Sequence, residues 1–219
     1  MTMELLEFAR GPALMWSLII FCFGVAWRLV GILLLRRKPD LSEARSRATL
    51  WGGIRTVFSR IWVRKEFQSR TAYGAALGYV FHIGLAIVVL LFVPHILFIK
   101  DLTGLSWGGL PNGVIYATGV ITLIALIIIM IRRLTHPVLK LLSNFDDYFS
   151  WVVTTAPLLT GLLATAHLGA RYETLLGLHI LSVELFLVWF PFGKLMHAIL
   201  FAVSRGTTGA LLERKGAAT

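Results

Sequence analysis

Four histidines lie inside hydrophobic stretches long enough to cross a bilayer, and they fall as two pairs: His82 with His95, and His179 with His197. An imidazole buried in hydrocarbon without a partner costs several kcal/mol, so each ring requires a ligand or a hydrogen bond. Neutral imidazole is a strong iron ligand, and two histidines on each of two helices suit two b-type haems, each iron taking one ring from each helix. Two such haems at different depths would carry electrons across a membrane.

The elements that position these rings follow from hydropathy. The 219-residue chain is 57% hydrophobic and only 15% charged, a composition of integral membrane proteins. Five apolar stretches are expected to cross as helices: residues 13–35, 75–99, 113–131, 151–168 and 175–203, the last long enough to project past the bilayer. No internal repeat is evident, and residues 1–219 read as one membrane domain. The N-terminus carries Glu4 and Glu7 rather than a basic flank, so the first span is expected to be retained.

Charge sets the expected orientation. Segment 36–70 holds ten Lys and Arg against three Asp and Glu, a net of +7. Arg132, Arg133 and Lys140 follow the third span, and Arg205, Arg214 and Lys215 lie in the tail. The opposite connections carry only Lys100, Asp101, Arg171 and Glu173. The positive-inside rule puts the N-terminus outside and the C-terminus in the cytoplasm, and it explains the +10 net charge without any nucleic-acid partner. Within 42–66, the residues Leu50, Ile54, Val57, Phe58, Ile61 and Trp62 recur at helical spacing among Arg55, Arg60 and Arg64. That pattern predicts an amphipathic helix on the inner face, as a lipid anchor or as a dock for a cytoplasmic subunit. Trp16, Trp51, Trp62, Trp107 and Trp151 read as interfacial anchors.

Spacing carries the haem reading further. His179 and His197 are 18 residues apart, which is five turns and about 27 Å of one helix, so both rings would leave the same face. His82 and His95 are thirteen apart, which turns their rings roughly 140° from one another in a straight helix. Pro94 precedes His95 and can bend the helix and re-aim that ring. The topology pairs His82 with His197 on the inner side and His95 with His179 on the outer side. The single Cys22 cannot hold an iron–sulfur cluster, so cluster chemistry belongs to another subunit.

Other polar residues carry alternatives. Arg28, about 12 Å inside the first span, can pair with a haem propionate or snorkel to lipid phosphate. Arg132 and Arg133 mark the cytoplasmic end of the third span or contact propionate. Lys100 and Asp101 lie just beyond His95 at the outer surface, as site residues or as ordinary boundary residues. His167 is an alternative outer ligand or an interfacial residue; His136 before Pro137 reads as structural. Glu184 is a packing residue or part of a proton route.

The chain resembles the gamma subunit of respiratory nitrate reductase and its relatives, the cytochrome b subunits of dissimilatory sulfite-reduction membrane complexes and of membrane heterodisulfide reductases. The likeness rests on Phe-Gly-Val-Ala-Trp-Arg (23–28), Phe-His-Ile-Gly (81–84), Arg-Arg-Leu-Thr-His-Pro (132–137), Leu-His (178–179) and Phe-Pro-Phe-Gly-Lys-Leu-Met-His (190–197). It departs from the nitrate reductase subunit in the longer His82–His95 distance and the short loop between the second and third spans. The resemblance implies a prokaryotic inner-membrane protein with an all-α, five-span, diheme four-helix core. It also implies quinol oxidation near the outer haem and electron passage to a cytoplasmic iron–sulfur subunit, which makes Lys100 and Asp101 candidates to bind quinol oxygens and take quinol protons and His167 a candidate quinol hydrogen-bond partner. The runner-up functions are a non-haem proton-coupled transporter using Glu184 and the histidines, and a haem-bearing structural anchor for a soluble reductase.

Overall fold

The computed structural model describes residues 2–36 and 41–217, so Arg37, Lys38 and Asp40 of the basic loop lie outside the described residues. Those described are helical, without a strand among them: α1 (Thr2–Phe8), α2 (Leu14–Leu33), α3 (Thr49–Ser59), α4 (Gln68–Leu91), α5 (Val93–Thr103), α6 (Asn112–Thr135), α7 (Pro137–Leu142), α8 (Phe145–Ala166), α9 (Tyr172–Trp189) and α10 (His197–Arg214). Six continuous helical stretches among them are long and apolar enough to cross a membrane: Glu4–Leu33, Lys65–Leu91, Asn112–Thr135, Phe145–Ala166, Tyr172–Trp189 and Lys194–Arg214. Large apolar side chains point outward along them, with Phe23 68%, Trp27 69% and Leu33 81% exposed. Surface of that kind is stable against acyl chains and not against water. The protein is a multi-pass membrane protein.

The chain forms two compact units, Met1–Ile20 with Tyr73–Trp189, and Phe21–Ala72 with Phe190–Thr219. In the first, α8 runs antiparallel to both α6 and α9. Trp151 donates its indole N–H to the Leu126 carbonyl at 2.8 Å, and Trp189 donates to the Ser150 hydroxyl at 3.0 Å. Ile115, Ala125, Leu126, Val153, Leu158, Ala164 and Leu175 form the buried core. Two of its buried threonines return their hydroxyls to the backbone one turn earlier, Thr122 to Thr118 and Thr154 to Ser150, both at 2.7 Å, while the buried Thr155 hydroxyl has no partner among the described residues. Such back-bonding satisfies those two hydroxyl protons in hydrocarbon. α8 starts at a capping box in which Asn144 and Asp147 exchange side-chain and backbone bonds.

Two expected spans are broken. The stretch 75–99 divides at Phe92, whose extended backbone (φ −80, ψ 123) ends α4 and starts α5 with Pro94 in its first turn. Proline there removes an N–H and excludes a continuous helix. The stretch 175–203 divides as well: α9 ends at Trp189, and α10 begins only at His197 after a loop and one 3-10 turn. Pro191 and Gly193 stand in that gap and are poor helix formers for different reasons, a missing donor and excess backbone freedom. His179 and His197 therefore do not share one straight helix, and the five-turn argument for a common face does not hold.

In the second unit, α3 covers only Thr49–Ser59, shorter than the amphipathic segment 42–66, and it buries its small residues rather than its large ones. Gly52, Gly53 and Thr56 are buried, while Leu50, Trp51, Ile54 and Phe58 are exposed. The partner is α10. A methyl added to Gly53 would come 2.8 Å from the Gly206 carbonyl, and one added to Gly209 would collide with Thr56 and the Gly52 carbonyl. Glycines at such crossings let two backbones approach, the packing that serves helices in lipid. Ser46 donates to Glu213 at 3.0 Å and Arg214 to the Ser42 carbonyl at 2.9 Å, tying the preceding loop to the end of α10.

Candidate cofactor site

The break at Phe92 leaves carbonyls at the end of α4 without their helical partners, and three groups take them. The His95 ring donates Nδ1–H to Val88 at 3.1 Å, the Trp107 indole donates to Leu90 at 2.5 Å, and the Leu110 amide donates to Leu91 at 2.9 Å. The helix break thus aims His95, and the short 104–111 loop folds back to hold it. Gly109 sits so close to Val93 and the Leu91 carbonyl that a side chain there would collide with Val93.

Across from it, α9 presents His179 to α8. Its Nδ1–H donates to the Pro157 carbonyl at 3.0 Å, with the Thr160 hydroxyl 3.4 Å away. Thr160 in turn lies 3.0 Å from the Ser182 hydroxyl, bracing the same helix pair. A methyl on Gly161 would stand 3.1 Å from the ring's Cε1, so the absence of a side chain there makes the room that the imidazole occupies.

The two rings meet. The centroids of His95 and His179 are 6.1 Å apart and their planes differ by 12°. Two imidazoles bound through Nε2 to one metal, at about 2 Å per bond, hold their ring centres roughly 6 Å apart. Both Nδ1 atoms donate to backbone carbonyls, which fixes the tautomer that carries the lone pair on Nε2. That outer hydrogen bond is the usual companion of a metal-ligating histidine. The donor chemistry and ring spacing fit a bis-histidine haem. Among the described residues no group of three or more His, Cys, Asp and Glu gathers to hold a metal ion, as a zinc or di-iron site would need.

The remaining candidates occupy other positions. His82 lies on α4 in the first unit and donates Nδ1–H to Gly78 at 2.7 Å, against the Phe81 ring at 4.4 Å. His197 opens α10 in the second unit and donates Nδ1–H to Lys194 at 2.7 Å. All four histidines thus hold the same tautomer by the same kind of bond. His167 caps α8 in a left-handed conformation (φ 53), with its ring 5.2 Å from the Tyr172 ring. His136 is exposed where α6 gives way to α7. Lys100 and Asp101 are exposed in the last turns of α5, five and six residues past His95. Arg28 is exposed on α2. Glu184 is buried on α9, its Oε1 without a hydrogen-bond partner among the described residues.

A protein of Nitratidesulfovibrio vulgaris is 31% identical over 221 residues, covering 96% of this chain and 95% of its own. The chain belongs to that protein's family. That relative's name, "Protein", specifies no activity. No family model and no solved structure matches the chain.

Several contributors to the family member's site were not read from its sequence. Pro157, Thr160, Gly161 and Trp107 act through His179 and His95, and none of them carries titrating or ligating chemistry. The available signal was a proline inside a span opposite a histidine-bearing one, since both elements were legible.

Proposed function

We propose that this chain is a diheme b-type cytochrome subunit, similar to the nitrate reductase gamma subunit, moving electrons between membrane quinol or quinone and a cytoplasmic iron–sulfur subunit. The observation that carries the reading is the juxtaposition of His95 and His179 with both Nδ1 atoms committed to backbone carbonyls. In this reading His95 and His179 hold the outer haem and His82 and His197 the inner one, with Arg28 near an inner propionate. Bound there, haem supplies reversible one-electron redox chemistry. The protein orients each ligating imidazole through its Nδ1 hydrogen bond, and the apolar core around α8 and α9 excludes water. Lys100 and Asp101, on the helix that carries His95, bind quinol oxygens and take up its protons at the outer surface. The direction of electron flow follows from the partner's potential.

The topology that goes with this reading has five crossings, formed by α2, α4 with α5, α6, α8 and α9, in a prokaryotic inner membrane with the N-terminus outside. Helix α3 spans eleven residues, about 16 Å, too short to cross. In this reading α10 stays beside it on the cytoplasmic side, where Arg205, Arg214 and Lys215 satisfy the positive-inside rule.

The test is a reduced-minus-oxidised visible spectrum of the purified protein with haem quantified as its pyridine complex. Two b haems per chain are expected. No haem would overturn the proposal and favour the proton-coupled transporter, for which buried Glu184 is the supporting observation. Reduction of the bound haem by added quinol separates an electron carrier from a haem-bearing anchor.

A further inference from the structure

Arg132 and Arg133 are neighbours at the end of α6, yet their side chains have opposite fates. Arg133 donates to Asp147 at 2.9 Å and to the Ser143 hydroxyl at 2.8 Å, so its charge is matched within the protein. Arg132, also half-buried, has no carboxylate within ion-pair distance among the described residues, and its guanidinium rests 5.8 Å over the Tyr73 ring. A methyl on Gly74 would come 3.0 Å from its Nη1, so the guanidinium is seated in a space that a larger residue would close. A half-buried guanidinium with donors unmatched by an anion is costly, and its planar fork is shaped for phosphate or carboxylate oxygens.

That cation lines a cleft of about 500 Å³ together with Tyr73, Thr135, His136 and the aliphatic Ile128 and Ile131, and Ile128, Ile131, Arg132 and Thr135 follow one another along one face of α6. The lining passes from aliphatic surface at Ile128 and Ile131 to donors at Arg132, Thr135 and His136 towards the end of the helix, which is the division of a phospholipid into acyl chain and headgroup. We propose that this cleft binds the headgroup phosphate of an anionic phospholipid, with Arg132 as the cation and Ile128 and Ile131 against an acyl chain. The proposal needs no haem and no particular orientation of the chain, because the cleft lies within one unit at the end of one helix.

The purified protein, stripped of lipid in neutral detergent, is given phosphatidylglycerol, phosphatidylcholine or inorganic phosphate and followed by native mass spectrometry and thermal unfolding. Phosphatidylglycerol is expected to be retained and to raise the unfolding temperature, and the other two are not. Arg132→Gln is expected to reduce the preference for phosphatidylglycerol by about five-fold, the contribution of one cation at an anionic headgroup. Lys140→Gln is expected to leave it unchanged. Should Arg132→Gln fail to fold, Tyr73→Leu removes the ring under the guanidinium and is expected to weaken the same preference. Equal retention of both lipids, protection by inorganic phosphate alone, or an undiminished preference in Arg132→Gln would overturn the proposal. So would loss of haem from Arg132→Gln with lipid binding intact, which would place a haem propionate at the guanidinium instead.

Discussion

Helices α8 and α9 in one unit and α3 and α10 in the other are both closely packed pairs, and they are joined by different means. The α8–α9 pair is tied by directional bonds: His179 to the Pro157 carbonyl, Thr160 with Ser182, Trp189 to Ser150. The α3–α10 pair is joined by the absence of side chains, with Gly52, Gly53, Gly206 and Gly209 bringing the two backbones together. Directional bonds hold a ring at one angle, which a ligating histidine requires. Glycine contacts hold two cylinders at short range and tolerate small rotations. The first pair has the construction of a site and the second that of a scaffold.

The comparison breaks most sharply at the rings themselves. His179→Ala and His95→Ala are each expected to lower haem from two per chain to one, read as the pyridine complex, and the double variant is expected to lose no more than either single one. Additive loss would show that the two rings serve separate sites. His167→Ala, whose ring contacts Tyr172, is expected to keep both haems. Pro94→Ala ranks next. With an N–H restored at residue 94, α4 can continue past Phe92 and recover the carbonyls that now orient His95 and Trp107. Loss of such an outer bond weakens metal retention by roughly ten-fold or more, so faster transfer of haem to apomyoglobin is expected.

The scaffold pair is expected to respond in stability rather than in cofactor content. Gly209→Val would drive a branched side chain into Thr56 and the Gly52 backbone. Overpacking of this kind costs about 1–3 kcal/mol. A thermal unfolding midpoint lower by several degrees is expected, with the absorption band of the His95–His179 site unchanged. A changed band would mean that the scaffold and the site are not separable.

Much of this arrangement was legible in the sequence because it depends on local signals. The apolar runs located α2 and α6 to within a few residues, α8 starts six residues before the expected 151, and Pro94 before His95 signalled a bend where the structure has a full break. The division at 190–193 was not read, because apolar continuity from Leu175 to Val203 outweighed Pro191 and Gly193. Pro157 shows why proline alone is an ambiguous sign, since α8 runs straight through it. The α3–α10 contact was invisible for another reason. Its glycines are separated by some 150 positions, so no local period links them. The large residues of α3 form the conspicuous pattern but face outward, and the small-residue spacings Gly52–Thr56 and Gly206–Ala210 were the overlooked sign.

The finest test of the comparison is Gly161→Ala, because Gly161 is a glycine within the directionally bonded pair. Its added methyl would stand 3.1 Å from Cε1 and 3.2 Å from Nδ1 of His179. Contact that close displaces a ring by a few tenths of an ångström without expelling it. If directional bonds define the site, the ring is held against that pressure by Pro157, and the hydrogen bond lengthens instead. Two haems per chain are then expected, with a shifted midpoint potential for one of them, since the bond at Nδ1 tunes the basicity of Nε2. If glycine contacts alone defined the pair, the helices would move apart slightly, the Nδ1 bond would survive, and the potential would stay where it was. Redox titration of Gly161→Ala beside the parent protein distinguishes the two outcomes, and Gly209→Val, altered in the other pair, is the control in which no potential shift is expected.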